Sequence, residues 1–554
     1  MNFWKHPTSN IEPPTPNEDA SGVIRALDVE RWMFDVQCSM FNSFSIAMTA
    51  TFSKLKTHFT NWREWELNPI VIKELRQAVR SWAVTGMLLL FLTVLFITSL
   101  TFLVTQSFQV EANLQLGGAM FSAFMVILAG ASVFFIPLYV GVRVAAERQE
   151  NNPDLLYVST LSPACIIRGK FLCGAYMALL FFSACMPFMA FTNLLRGVDL
   201  PTVFFILFYL FLVVCAANMI AIFFACLPMS RPFKILLVIY GLFQSFALLV
   251  PLVRVSFQLM SSGVGAMMSG RNFWVGTLTF VGIGMAITGL FFVLSVALIS
   301  PPSANRALPV RIYLTAIWLL GGLLSFSWVV QTGMAPWMLA WTYPTFALMM
   351  FALLVTVSNS DQISLRVRRT IPKSGLKRAL AFVLFNGAAG GLVWVATILV
   401  ATFFLTWQIL LAFPKSMIDS SASNWFVTTT AYAFAYALTA LFIHRKFLSK
   451  RPPKLAGVIA VLLAGAWAIV PSIVLFFLNQ LSWKSVEGLQ LGNVFNVFSL
   501  RDDDQRLYHL YFAFGWLLLM ILINAKWFVR QVKNFQPLNR TQSPPVINEI
   551  SPAA

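Results

Sequence analysis

Glu147 to Lys170 reads ERQENNPDLLYVSTLSPACIIRGK, a polar and charged interval set between apolar runs at about 116–142 and 171–193. Two helix-start signals stand inside it. Asn152 can cap, Pro153 carries the preset φ of a first turn, and Asp154 suits the positive end of a helix dipole. Ser162 and Pro163 repeat the pattern of cap then proline, so one short helix stops near Leu161 and a new one begins. Leu155, Val158 and Leu161 then share a face of a helix of about two to three turns. A helix that short is marginal alone and needs a surface to pack on.

Working outward, further apolar runs follow at about 83–104, 202–228, 233–252, 276–300, 312–330, 337–357, 380–408, 427–443, 455–479 and 508–525. Most reach the roughly 20 residues needed to cross a bilayer. The 554 residues are 58% hydrophobic and 11% charged, against about 25% charged in soluble domains. The chain therefore reads as an all-α, polytopic integral membrane protein with about 12 transmembrane helices.

The formal net charge of +18 could suggest nucleic acid, but its cations are spread over loops and do not gather on one soluble domain. Topology explains them, because short cytosolic loops accumulate Lys and Arg. Arg143, Arg148, Arg168 and Lys170, then Arg306 and Arg311, then Lys373, Lys377 and Arg378, then Arg445 and Lys446 fall on one face, as do both termini. The opposite loops carry few basic residues. Twelve spans with both termini cytosolic satisfy every loop, and a cell (inner) membrane location is expected.

Two stretches resemble one family. Glu147-Arg148, Asp154-Leu155-Leu156, Thr160-Leu161-Ser162-Pro163, Ile167 and Gly169-Lys170 look like the cytosolic loop of type-2 ATP-binding-cassette (ABC) exporter permeases. Asn68-Pro69-Ile70-Val71-Ile72-Lys73-Glu74-Leu75-Arg76-Gln77 is similar to the amphipathic elbow before that family's first membrane helix. The resemblance covers roughly residues 61 to 300. It implies a coupling helix within 147–170 that docks on a separate ABC ATPase subunit. Glu147, Arg148, Asp154, Leu155, Val158, Leu161, Ser162, Pro163, Gly169 and Lys170 would be the coupling residues. Asn68, Pro69, Lys73, Glu74, Arg76 and Arg80 would belong to the elbow. ATP would be bound by that partner, leaving this chain no cofactor of its own.

Four regions are expected: a cytosolic tail over 1–60, partly disordered; a six-span permease-like domain over 61–300; a second six-span bundle over 301–530 after Pro301-Pro302; and a disordered cytosolic tail over 531–554. Residues 1 to 27 hold no apolar signal-peptide core, and 28 to 66 suggest an interfacial segment. In the elbow, Ile72, Leu75, Val79 and Trp82 oppose Lys73, Gln77 and Arg80, a pattern for a helix in the headgroup plane. Val253 to Trp274 is expected to form either a partly inserted hairpin or an ordinary outer loop. The second half shows no clear copy of the elbow or of the Leu-Ser-Pro loop, so it is either a diverged permease half or an appended bundle. Only the first half carries a coupling loop, which favours a homodimer.

Several chemistries are not written in the chain. No GxxxxGK[ST] loop is present, so the chain is expected not to be an enzyme and not to be its own motor. No HExxH occurs, and His6, His58, His444 and His509 stand far apart, so no metal is expected. Cys38, Cys165, Cys173, Cys185, Cys215 and Cys226 show no CxxC spacing and read as small apolar residues. Asp502-Asp503-Asp504 reads as a solvated turn. The cores of the spans contain no Asp, Glu, Lys, Arg or His, which speaks against proton relays. Asn218, Gln244, Asn386, Gln408 and Asn524 are expected to hydrogen-bond between helices. An ion-coupled secondary transporter and a membrane enzyme acting on lipid-linked substrates, with Asp199, Asp419 and Asp502 as its outer candidates, are the alternatives to an exporter permease. Membrane lipids are expected as partners.

Overall fold

A computed structural model describes residues 69–107, 116–150, 162–195, 198–412, 421–478, 490–499 and 503–537. Two units are distinguished, Met1–Ile72 and Lys73–Ala554, and of the first only the helical turn Pro69–Ile72 is described. Every described element is helical. Asn68, Asp154, Leu155, Val158 and Leu161 lie outside the described residues, as do Asp419, Asp502, the tail over 1–60 and residues 538–554, whereas of the C-terminal tail 531–534 continue the last helix and Phe535 is buried.

A short helix α1 (Pro69–Val79) leads into α2 (Trp82–Ser107) and α3 (Leu116–Glu150), which has a π-helical turn at Ala131–Phe135. Then come α4 (Pro163–Leu194), α5 (Leu200–Cys226), α6 (Arg231–Ser262), the single turn α7 (Val264–Met267) and α8 (Arg271–Ile299). The later part holds α9 (Ala307–Thr332), α10 (Trp337–Val357), α11 (Leu365–Arg368), α12 (Gly375–Leu384), α13 (Ala388–Ala412) and α14 (Ser421–Phe447). It ends with α15 (Lys454–Leu478), α16 (Asn496–Ser499) and α17 (Asp503–Asn534). Twelve described helices are long and apolar enough to span a membrane, one for each apolar run of the sequence. This is a polytopic helical membrane protein.

Helix starts follow the local chemistry. Ser162 accepts from the Cys165 N–H at 3.3 Å ahead of Pro163, and Asp199 accepts from the Thr202 N–H at 3.3 Å ahead of Leu200-Pro201. Both satisfy donors that a helix N-terminus leaves open.

Helix packing divides between two sets of cores. Phe91, Phe124, Phe181 and Leu210 centre one in the first six spans, with Phe91 and Phe181 rings 5.3 Å apart. Leu353, Val395, Ala437 and Leu441 centre another in the last six. Lipid tails are as apolar as leucine, so close approach between helices supplies what burial supplies in water. Thus α8 and α9 join the halves at Gly289, where a Cβ would stand 2.0 Å from the Tyr313 hydroxyl, which donates to the Ala286 carbonyl at 3.1 Å.

In the elbow α1 Glu74 and Ala78 are buried and Leu75 partly so, while Val79 is exposed, as is Trp82 at the start of α2. Three expectations are revised. Residues 253–262 continue α6 as one helix, followed by α7 and α8, so no separate partly inserted hairpin forms there. The ninth span begins at Ala388 and not near 380, because Gly387 at φ 142° breaks the helix; the preceding α12 is a second short amphipathic helix with Leu376 and Leu380 exposed. Asp503 and Asp504 open α17, where acidic groups suit the helix dipole, and do not form a turn.

Candidate functional site

The most connected polar site lies where α1, α3 and α4 meet. Lys170 stands two turns into α4 and is only 8% exposed, yet its ammonium is held by two carboxylates. Nζ is 3.0 Å from Glu74 Oε1 and also donates to Glu147 Oε2. Glu74 comes from α1, three residues before Gln77, and Glu147 from the end of α3, four residues after Arg143. Those spacings put each pair on one helix face. Consequently a second link forms beside the first: Arg143 donates to Gln77 Oε1 and, at 2.8 Å, to the Tyr139 hydroxyl.

The cluster carries two carboxylates and two cations, so it is charge-balanced. A buried ion pair contributes little net stability, because desolvation offsets its attraction, but it fixes register. Here it fixes α1 against the facing ends of α3 and α4. Ile167 is buried one turn before Lys170, and Gly169 is buried beside it. Of the residues read from sequence, Glu74, Glu147 and Lys170 are thus brought together, while Lys73 and Arg76 line the exposed face of α1 and Arg80 is exposed just after it. Ser162 and Pro163 start α4. Arg148 lies in the last turn of α3, and Pro69 begins α1. The remaining coupling residues fall outside the described range.

Just past Lys170, α4 is tied to α5. Asn218, 1% exposed, donates to the Phe171 carbonyl at 3.3 Å, and a Cβ on Gly174 would lie 2.1 Å from Asn218 Nδ2. Asn386 and Asn524 likewise bond between elements, to Ala304 and to Leu438 and Arg445. Gln244 and Gln408 are exposed instead.

On the opposite side of the first six helices, Asp199 clamps two loops. Its carboxylate accepts from the Thr202 hydroxyl at 2.5 Å and from the Gly265 N–H at 3.1 Å. Partial burial disfavours its charge, but the bonds from Thr202 and Gly265 outweigh that and hold its carboxyl below the usual carboxylate range.

The end turns hold charge that the apolar runs did not announce. Arg311, 3% exposed in α9, donates to the carbonyls of Val383 and Phe385 at 2.8 and 2.6 Å and of Gly387 at 3.2 Å. These carbonyls are open because the chain breaks between α12 and α13. The signal for it was Asn386-Gly387 inside an apolar run, a turn dipeptide whose freed carbonyls need a donor. His509, fully buried in α17, meets the Tyr432 hydroxyl at 3.0 Å through Nδ1.

Cys173, Cys185, Cys215 and Cys226 are buried as the spacing implied. Among the described residues no group of His, Cys, Asp and Glu could hold a metal ion. Compared with known proteins, the chain matches no family model, no curated protein and no solved structure.

Proposed function

We propose that this chain is the membrane-spanning permease subunit of an ATP-driven exporter of the type-2 ABC class, coupled to a separately encoded ATPase through the loop 147–170. The observation that carries the reading is the ion-paired node of Glu74, Glu147 and Lys170. It ties the amphipathic elbow to both flanks of the loop, so a push on the loop would reach α1, α3 and α4 together. A packed charged node of this kind transmits displacement between α1 and α4, because separating Lys170 from Glu74 would leave a buried carboxylate unpaired. The basic ends of the helices would face the cytosol, and ATP would be bound and hydrolysed by the partner.

The assembly is a homodimer in this reading. Gln244 lies near the middle of α6 and is exposed, and an amide facing hydrocarbon gains from a partner across an interface. The second six-span bundle would then be an appendage to the transport unit.

The test exploits the loop itself. Leu155 and Leu161 would fill a groove on the ATPase, and burying an aliphatic side chain contributes about 1.5–3 kcal/mol. Leu155→Asp and Leu161→Asp, each expressed beside the partner ATPase, should lower its affinity about tenfold or more. Membrane abundance should stay normal while the ATPase fails to co-purify. Retained ATPase with full transport would refute the coupling role.

A further inference from the structure

The second six-span bundle contains a cleft that the exporter reading does not use. It lies between α13, α14 and α17 and has a volume of about 620 Å³. α14 packs along α17 and forms the floor, whereas α13 and α17 barely touch, so the cleft opens sideways between them. Val400 and Phe404 on α13 and Phe514 and Ile521 on α17 stand exposed along its walls. From Phe514 to Val529 it follows about 22 Å of helix, more than half of the roughly 30 Å hydrocarbon thickness of a bilayer.

The lining is apolar in a strict sense. Its only polar side chains are Thr430, Asn524 and Trp527, and all three are already engaged. Thr430 donates to the Phe426 carbonyl at 2.8 Å, Asn524 donates to Leu438 and Met520, and Trp527 donates to Asp361 at 2.9 Å. A polar solute would find no partner there, whereas an alkyl chain needs none.

Charge collects at one end only. Arg445 donates to Asn524 and stacks over Trp527 at 4.6 Å, so a guanidinium stands directly behind two lining residues. Among the described residues no carboxylate lies within ion-pair distance of it: the ion pairs are both at Lys170. Lys526, Arg530 and Lys533 add cations along the same end of α17. Among the described residues the acidic group bonded at this end is Asp361, while Lys446 and Lys450 stand at and just past the end of α14.

From this arrangement we infer that the cleft holds one acyl chain of an anionic phospholipid, with its phosphate drawn to the cations around Arg445. Apolar walls long enough for one acyl chain and a basic mouth at the headgroup level fit both parts of such a molecule. The site is independent of the ATPase-coupling loop, which belongs to the first six spans.

The experiment uses the purified full chain in detergent with phosphatidylglycerol carrying a photoreactive diazirine in one acyl chain. After illumination and proteolysis, labelled peptides should come from 392–404 and 514–529, and unlabelled phosphatidylglycerol should displace the probe about tenfold better than phosphatidylcholine with the same chains. Ala525→Trp fills the cleft from the side of α17 and should remove most of the label, and Ala396→Trp does the same from α13 should the first variant fold poorly. Equal displacement by phosphatidylcholine would overturn the anionic headgroup. Label spread evenly over exposed helices such as α6, or unchanged in a folded Trp variant, would overturn the site.

Discussion

Lys170→Met is the most informative perturbation of the node. The methionine keeps most of the side-chain volume but removes the ammonium between Glu74 and Glu147. Glu74 has a side chain only 8% exposed and cannot reach water, whereas Glu147, at 32%, can turn outward. Breaking a buried pair by removing one partner costs about 3–5 kcal/mol, against about 0–1 for an exposed pair. The single variant is therefore expected at about 3–5 kcal/mol of destabilisation. Neutralising the trapped carboxylate in Lys170→Met/Glu74→Gln should recover most of that loss, because the remaining Glu147 is solvated. Glu147→Gln alone should have the smallest effect of the set. The assay is reversible unfolding of the purified protein in mixed micelles, with the double variant closing a thermodynamic cycle. A Lys170→Met loss below about 1 kcal/mol, or a double variant no better than the single, would refute the claim that a buried charge balance holds α1 in place.

Two further outcomes follow from the geometry. Gly174→Ala puts a Cβ 2.1 Å from Asn218 Nδ2, so the amide must turn away from the Phe171 carbonyl, at a cost of about 1–3 kcal/mol. Gly174→Ala/Asn218→Ala should be less damaging than the sum of its parts, and thermal unfolding of the three variants checks this. Asp199→Ala removes a helix cap and the bond to Gly265, costing about 1–2 kcal/mol at neutral pH. Because the folded carboxyl titrates below its unfolded value of about 3.9, its contribution is full above that pH and lost as pH falls through the folded pKa. Unfolding midpoints of wild type and variant should therefore converge on acidification, and a constant gap would contradict it.

The twelve spans were legible because a bilayer imposes a length and a composition on every crossing, and runs such as 83–104 and 337–357 satisfy both. The start of α4 was legible for a local reason, since Ser162-Pro163 writes a cap and a first turn into adjacent residues. The burial of charge was not. Lys170 looked like one cation of a basic loop, because periodicity records which residues are apolar and not where a helix ends relative to its neighbours. The helices run past their apolar runs, and that extension carries Lys170, Arg143 and Arg311 into packed surroundings. What then decides their fate lies far away in sequence: Glu74 is 96 residues from Lys170, and the carbonyls that hold Arg311 are 72 to 76 residues downstream. The elbow shows the same limit in reverse. Its two faces were readable, but the burial of Glu74 was not: one buried ammonium on α4 needs a carboxylate, and that demand turns Glu74 inward and leaves Val79 outside. Where a chain in lipid must choose, satisfying a charge outranks burying a valine, since an unpaired buried charge costs several kcal/mol and an aliphatic side chain loses little by facing lipid.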